Sequence, residues 1–168
     1  MKNVFKFCPQ CQKSIKKTNR LIQCQYCHFN FYLNPVPTNG LILENNNGEI
    51  LLVKRKFPPK KDYWDIPGGF INFKETVEES LVREIKEELG INLNNFVYFS
   101  SCYDNYLYKK INYQTLCLIF VKKNFQGEII TNDDISQAKF FKKSEINFKK
   151  IAFKGIAKAL KNYLTISF

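Results

Sequence analysis

Apolar and polar positions change period several times along the 168-residue chain, and those changes predict its elements. Leu41 to Leu43 and Ile50 to Val53 are short apolar runs separated by Asn45, Asn46, Asn47 and Gly48, the pattern of two antiparallel strands joined by a turn. Val77, Leu81, Ile85 and Leu89 recur every fourth residue, which predicts a helix from about Thr76 to Leu89 with one apolar face, terminated at Gly90. Pro67, Gly68 and Gly69 interrupt regular structure ahead of it, and Phe70 to Lys74 read as a loop. Val97 to Tyr108 and Tyr113 to Val121 are rich in aromatic and β-branched residues and predict a second hairpin, turning over Lys109, Lys110, Ile111 and Asn112. A short extended piece at Ala138 to Phe141 and a helix from Ile151 to Leu164 complete the pattern. Strands mixed with two helices predict an α+β fold or an α-β-α sandwich.

Before Pro35 the periodicity gives way to cysteines. Cys8 and Cys11, then Cys24 and Cys27, form two C-x2-C pairs separated by twelve residues, each shaped to offer two thiolates to one tetrahedral ion. A four-cysteine zinc ribbon over residues 1–34 is the expectation, with a boundary near Pro35 and Pro37 and a second domain over 35–168. Cys102 and Cys117 sit in apolar, strand-like surroundings and read as core residues. His28, the single histidine, follows Cys27 directly and reads as a surface or packing residue, because four cysteines already close a zinc site.

Composition changes this picture little. An apolar fraction of 45% with 16 Phe and 9 Tyr is that of a globular protein with a real core, not a disordered chain. The longest apolar run, Leu116 to Val121, is too short to span a bilayer, and the amino terminus has no signal-like apolar stretch; a cytoplasmic protein is expected. The formal charge of +11, from 26 Lys and Arg against 15 Asp and Glu, favours phosphorylated ligands without by itself making a nucleic-acid binder.

One segment runs against that charge. In Gly69 to Ile91, Arg83, Glu84, Glu87 and Glu88 fall within six residues, and the three glutamates share one helix face beside the apolar stripe. Hard carboxylate oxygens so gathered suit magnesium or manganese, which in turn neutralise phosphate oxygens.

The segment matches the complete Nudix box: Gly69, five residues, Glu75, seven residues, then Arg83, Glu84, Ile85, any residue, Glu87, Glu88, any residue, Gly90 and Ile91. The chain therefore resembles the Nudix hydrolases. With its four-cysteine ribbon it is similar to the NADH pyrophosphatase and ADP-ribose pyrophosphatase branch. The resemblance implies an α-β-α sandwich with a mixed sheet. It implies that Glu84, Glu87 and Glu88, with the Gly68 carbonyl, hold Mg²⁺ or Mn²⁺, while Glu75 and Arg83 support them. The implied reaction is attack of a metal-activated water on a diphosphate, splitting a nucleoside diphosphate linked to X into nucleoside monophosphate and X-phosphate. Glu87 or Glu88 can serve as base, or a late loop carboxylate, for which Asp133 and Asp134 are the candidates. The NADH branch carries a Ser-Gln-Pro-Trp-Pro-Phe-Pro signature after the box, and here Ser100 to Tyr106 lacks its prolines and tryptophan.

Arg55, with Lys54, stands at a strand end that can meet phosphates. Tyr63, Trp64, Tyr103, Tyr106 and Tyr108 flank the box in sequence and can stack on a base, with Trp64, Tyr103 and Tyr106 preferred. Two other functions fit the same chemistry or charge: removal of damaged nucleoside triphosphates, and a nucleotide-sensing or nucleic-acid-binding regulator. A homodimer, with the ribbon assisting, is compatible with all three.

Overall fold

The computed structural model describes residues 6–15, 21–132 and 134–166. Two short strands, β1 (Leu21–Gln23) and β2 (Asn30–Tyr32), form an antiparallel pair of their own at the amino-terminal end. The remaining strands are β3 (Val36–Asn45), β4 (Ile50–Arg55), β5 (Trp64–Asp65), β6 (Val97–Tyr108), β7 (Ile111–Phe125) and β8 (Ile135–Phe141), with helices α1 (Val77–Leu89) and α2 (Lys154–Thr165).

The expected β3–β4 hairpin exists, but it is splayed. Only Glu44 and Ile50 pair across it. β3 runs parallel to β7 from Val36 to Asn45, whereas β4 turns away to pair antiparallel with β8 and β5. β6 completes the order β5-β4-β3-β7-β6, a mixed sheet.

Alternation along the strands sorts the core onto two sides. Leu41, Leu43, Leu51, Val53 and Phe120 pack with Leu81, Ile85 and Leu89 of α1. Ile42, Leu52, Ile119 and Val121 pack with Ile156, Ala159 and Leu160 of α2. This is the predicted α-β-α sandwich. Leu81, Ile85 and Leu89 are fully buried, and each such side chain contributes roughly 1.5–3 kcal/mol over an exposed one.

Three boundaries differ from the sequence reading. Pro37 lies within a strand, because β3 begins at Val36 and Pro37 pairs with Leu116. Proline is tolerated there because the facing partner on the other edge is an irregular segment, Pro67 to Ile71, which uses the Pro37 carbonyl as acceptor for the Ile71 N–H. The β6–β7 turn is two residues, Lys109 and Lys110, both at positive φ, as a tight hairpin requires. α2 starts at Lys154, three residues later than the Ile151 predicted by hydrophobicity alone.

Candidate active site

The site grows from the segment between β5 and α1. Pro67 to Ile71 lies alongside β3 as a substitute strand: the Leu41 N–H donates to the Pro67 carbonyl and the Asn39 N–H to the Gly69 carbonyl. Gly68 takes φ 135°, closed to L side chains, and a Cβ there would strike the Asn39 carbonyl. At Gly69 a Cβ would strike the Glu84 carboxylate. Gly68 thus lets the backbone pass close to β3, and Gly69 lets it pass against the Glu84 carboxylate.

Helix α1 is fixed at both ends. Thr76 and Glu79 form a reciprocal capping box, worth about 1 kcal/mol, and Gly90 ends the helix in the left-handed conformation. Beyond β7, the Asn132 N–H donates to the Glu88 carbonyl and the Ile130 N–H to that of Leu89. That connection leads Asp134 to the same place, where its carbonyl accepts from the Lys56 N–H.

Arg83 is the hub. Its Nε and Nη2 grip both Glu75 oxygens at 2.7 and 2.9 Å, its Nη1 reaches Glu84 at 2.8 Å and Glu87 at 3.1 Å, and Nη2 also reaches the Phe70 carbonyl at 3.1 Å. The bidentate pair with Arg83, then the Asn72 N–H, hold the Glu75 carboxyl down to about 2. Among the described residues Glu88 has no such cationic partner; the Gly68 N–H donates to it at 2.9 Å. Burial, with the charges of Glu84, Asp65 and Asp134 added, pushes its pKa up to about 8. Glu84 is also raised, chiefly by burial, with Arg83 opposing.

Glu84, Glu87 and Glu88 line a cleft of about 320 Å³. Six lining residues are acidic, namely Asp65, Glu84, Glu87, Glu88, Asp104 and Asp134, against one lining cation, Arg55. Such an excess on a chain of net charge +11, with Glu88 almost removed from water, fits a divalent cation held by Glu84, Glu87 and Glu88.

Aromatic rings line the same cleft. Tyr106 and Phe153 stack with centroids 5.9 Å apart, Phe70 meets Tyr106 edge-on, and the Arg55 guanidinium lies 5.3 Å from the Phe153 ring and 5.8 Å from that of Tyr106. Arg55 is held by the Pro59 carbonyl and by Asp65, whose own pKa burial raises to about 6.

Of the sequence candidates, the cleft gathers Arg55, Gly68, Glu84, Glu87, Glu88, Tyr106 and Asp134. Trp64 and Tyr103 are corrections: neither lines it. The Trp64 ring packs edge-on against Phe141 beside the α2 core, and Tyr103 is half exposed with its hydroxyl on Asn105. Alternation explains Tyr103, since Tyr103 and Tyr106 are an odd number apart on β6 and so face opposite sides. Asp133 falls outside the described residues.

Sequence reasoning missed three residues. Buried Asn39 donates to Ser80 Oγ and accepts the Gly69 N–H, tying β3, the glycine loop and α1 together. Asp65 positions Arg55. Asp104 caps α2 from another strand, accepting the Gly155 and Ile156 N–H groups at 2.9 and 3.2 Å, where the helix's own N-cap, Phe153, offers no side-chain acceptor. Each contact joins residues 10 to 52 positions apart, so no local pattern could reveal it.

At the amino-terminal end the four cysteine Sγ atoms lie within 4.8 Å of one another, with Cys8–Cys27 at 3.6 Å and Cys11–Cys24 at 3.5 Å. Tetrahedral zinc with bonds near 2.3 Å needs sulfurs about 3.8 Å apart, so the cluster can hold zinc. The two knuckles repeat each other: the Gln12 N–H donates to the Cys8 carbonyl, the His28 N–H to the Cys24 carbonyl, and both donors take positive φ. His28 is thus the turn residue of a knuckle.

The NUDIX domain model matches residues 34–163. An ADP-ribose pyrophosphatase of Methanocaldococcus jannaschii is 35% identical over 138 residues, 81% of this chain and 77% of that protein. The NAD-capped RNA hydrolase NudC of Haemophilus influenzae is 35% identical over 101 residues, 57% of this chain but only 38% of that longer protein. Among solved structures, a NUDIX hydrolase of Nitrosomonas europaea superposes with a TM-score of 0.69 at 28% identity, covering 95% of this chain and 90% of that one. Fold and site thus define a hydrolase of pyrophosphate bonds, and the chain belongs to the Nudix family, whose enzymes use divalent metals. Among the described residues no helix is long and apolar enough to cross a membrane.

Proposed function

We propose that this Nudix hydrolase cleaves the diphosphate of a nucleoside diphosphate linked to X, with ADP-ribose first and NADH second among its substrates, releasing AMP. The observation that carries the reading is the make-up of the cleft: its lining combines the helix glutamates with a ring stack and a guanidinium. A diphosphate suits the glutamates when a metal neutralises its charge, and a base suits the rings. The 35% identity to an ADP-ribose pyrophosphatase over 81% of the chain supports the same substrate class.

The metal, held by Glu84, Glu87 and Glu88, would supply charge neutralisation at the phosphates. The chain's own residues do the rest. Arg83 restrains Glu84 and Glu87, and the Gly68 N–H orients the Glu88 carboxylate. Glu88, oriented by the Gly68 N–H, and Asp134 on the lining of the same cleft are the two carboxylates placed to accept the proton of the attacking water. Arg55, fixed by Asp65, presents its guanidinium to the nucleotide. The four cysteines hold a structural zinc ion.

A hydrolysis screen with Mg²⁺ or Mn²⁺ tests the reading. ADP-ribose, NADH, NAD, dinucleoside polyphosphates and nucleoside triphosphates are offered, and products are identified by mass. AMP from ADP-ribose is expected; pyrophosphate from a triphosphate as the preferred product would replace this reading with nucleotide-pool sanitation.

A further inference from the structure

Helix α2 takes its cap from outside its own sequence. Its N-cap position, where Ser, Thr, Asp or Asn ordinarily offers an acceptor to the first free N–H groups, is Phe153, whose side chain makes no capping hydrogen bond. The acceptor comes from β6 instead: Asp104 Oδ1 takes the Gly155 N–H at 2.9 Å and Oδ2 the Ile156 N–H at 3.2 Å. Gly155 allows that approach, since a Cβ there would strike Asp104 Oδ2 and the Tyr103 carbonyl. Asp104 is anchored in turn by Thr115 of β7, whose hydroxyl donates to the Asp104 carbonyl at 3.3 Å. Asp104 and Tyr106 are two residues apart on β6 and so share a face. The Phe153 ring stacks on Tyr106 with 23° between the planes, and all three residues line the cleft. A polar residue at 153 would cap the helix locally. With a ring there, the helix gives up its own cap and the cleft gains an aromatic wall.

We propose that Asp104 is a positioning residue for nucleobase binding: by capping α2 from β6 it holds the Phe153 ring against Tyr106, forming the wall on which the base of the substrate stacks. This role rests on the cleft taking a nucleotide, and it names the side chain that builds the aromatic part of the lining. Without the carboxylate two helix N–H groups lose their acceptor, and the first turn of α2 is free to fray. Phe153 then leaves its place against Tyr106, while the rest of the helix stays docked through Ala159, Leu160 and Tyr163. The loss falls on the base and not on the metal-binding glutamates, which are held by Arg83 and Gly68.

The test is a double-mutant cycle on the zinc-loaded full chain with Mg²⁺. Calorimetry gives the affinity for AMP, which carries a base, and for pyrophosphate, which does not; KM and kcat are measured for ADP-ribose. Asp104→Ala and Phe153→Leu are each expected to weaken AMP about tenfold, the worth of one stacked base. Asp104→Ala should raise KM by the same factor, with kcat within about twofold and pyrophosphate affinity unchanged. Because both residues act through one ring, the double variant should also lose about tenfold, where independent effects would multiply to about a hundredfold. Asp104→Asn keeps one acceptor oxygen and should recover most of the loss. A hundredfold loss in the double variant, unaltered AMP affinity in Asp104→Ala, or no AMP binding by the native chain would overturn the role. Equal weakening of AMP and pyrophosphate would overturn it too, assigning Asp104 to the stability of the fold alone. A native chain that binds AMP but leaves ADP-ribose intact is a failure of the substrate reading, and the AMP cycle still decides the role of Asp104.

Discussion

The chain gathers metal-binding side chains twice, and the two gatherings differ in kind. The four cysteine sulfurs stand assembled within 4.8 Å, and among the described residues no other group of three or more ligating side chains is gathered so closely. The glutamates share a helix face but are engaged by other groups: the Arg83 Nη1 bridges Glu84 and Glu87, and a peptide N–H donates to Glu88. Thiols can crowd as neutral groups, whereas neighbouring carboxylates repel unless a cation intervenes. The first set is a closed site suited to holding an ion as structure. The second orients its carboxylates by hydrogen bonds and leaves them on the lining of an open cleft, which suits an ion that works on substrate.

The comparison is tested most severely by removing the closed site. Cys24→Ser is expected to lose the bound zinc and the amide-exchange protection of residues 21–32, because β1 and β2 are three residues each and pair only with one another. Zinc ligation supplies about 10 kcal/mol or more in modules of this kind. Protection over residues 36–165 should persist, since both core clusters draw only on those residues. Collapse of the whole chain on losing zinc would show that the two regions are one folding unit.

Breaking the open site should leave the fold intact. Glu88→Gln is expected to lower kcat for ADP-ribose by about 10³-fold. Its effect on stability has a sign. The Glu88 pKa, raised to about 8 from an ordinary 4.5, gives a contribution present below pH 4.5 and lost as pH rises through 8. The glutamine has no charge to bury, so in metal-free buffer the variant should gain on the native chain between those limits. Turnover at the native rate would remove Glu88 from the chemistry.

How much of this was legible in the sequence follows the same division. Cysteine spacing dictates geometry almost completely, because two knuckles leave the sulfurs little choice. Glutamate spacing dictates a face and no more; where Glu84 and Glu88 point depends on Gly68, Gly69 and Asn39, which come from a loop and a strand far away in sequence. The two layers of the core were readable from alternation in Leu41, Ile42 and Leu43 and from the four-residue period of α1. The parallel pairing of β3 with β7 was not, because apolar runs do not name their partners. Trp64 and Tyr103 show the limit for aromatic residues: nearness to the box in sequence does not decide which side of a strand a ring occupies.

The smallest expected effect sharpens the contrast at Arg83, the side chain that bridges the carboxylates. Lysine keeps the charge but not the fork, so Arg83→Lys should lose the paired bonds to Glu75 and lower Tm at pH 7 by roughly 3–6 °C. The native Glu75 carboxyl is held down to about 2, below its ordinary 4.5. Its stabilising contribution is therefore present above pH 4.5 and is lost as pH falls through 2. The gap in Tm between native chain and variant should accordingly narrow as pH falls from 4.5 towards 2. A gap that stayed constant with pH would mean that Arg83 stabilises the loop through the Phe70 carbonyl and Ser80 instead of through Glu75.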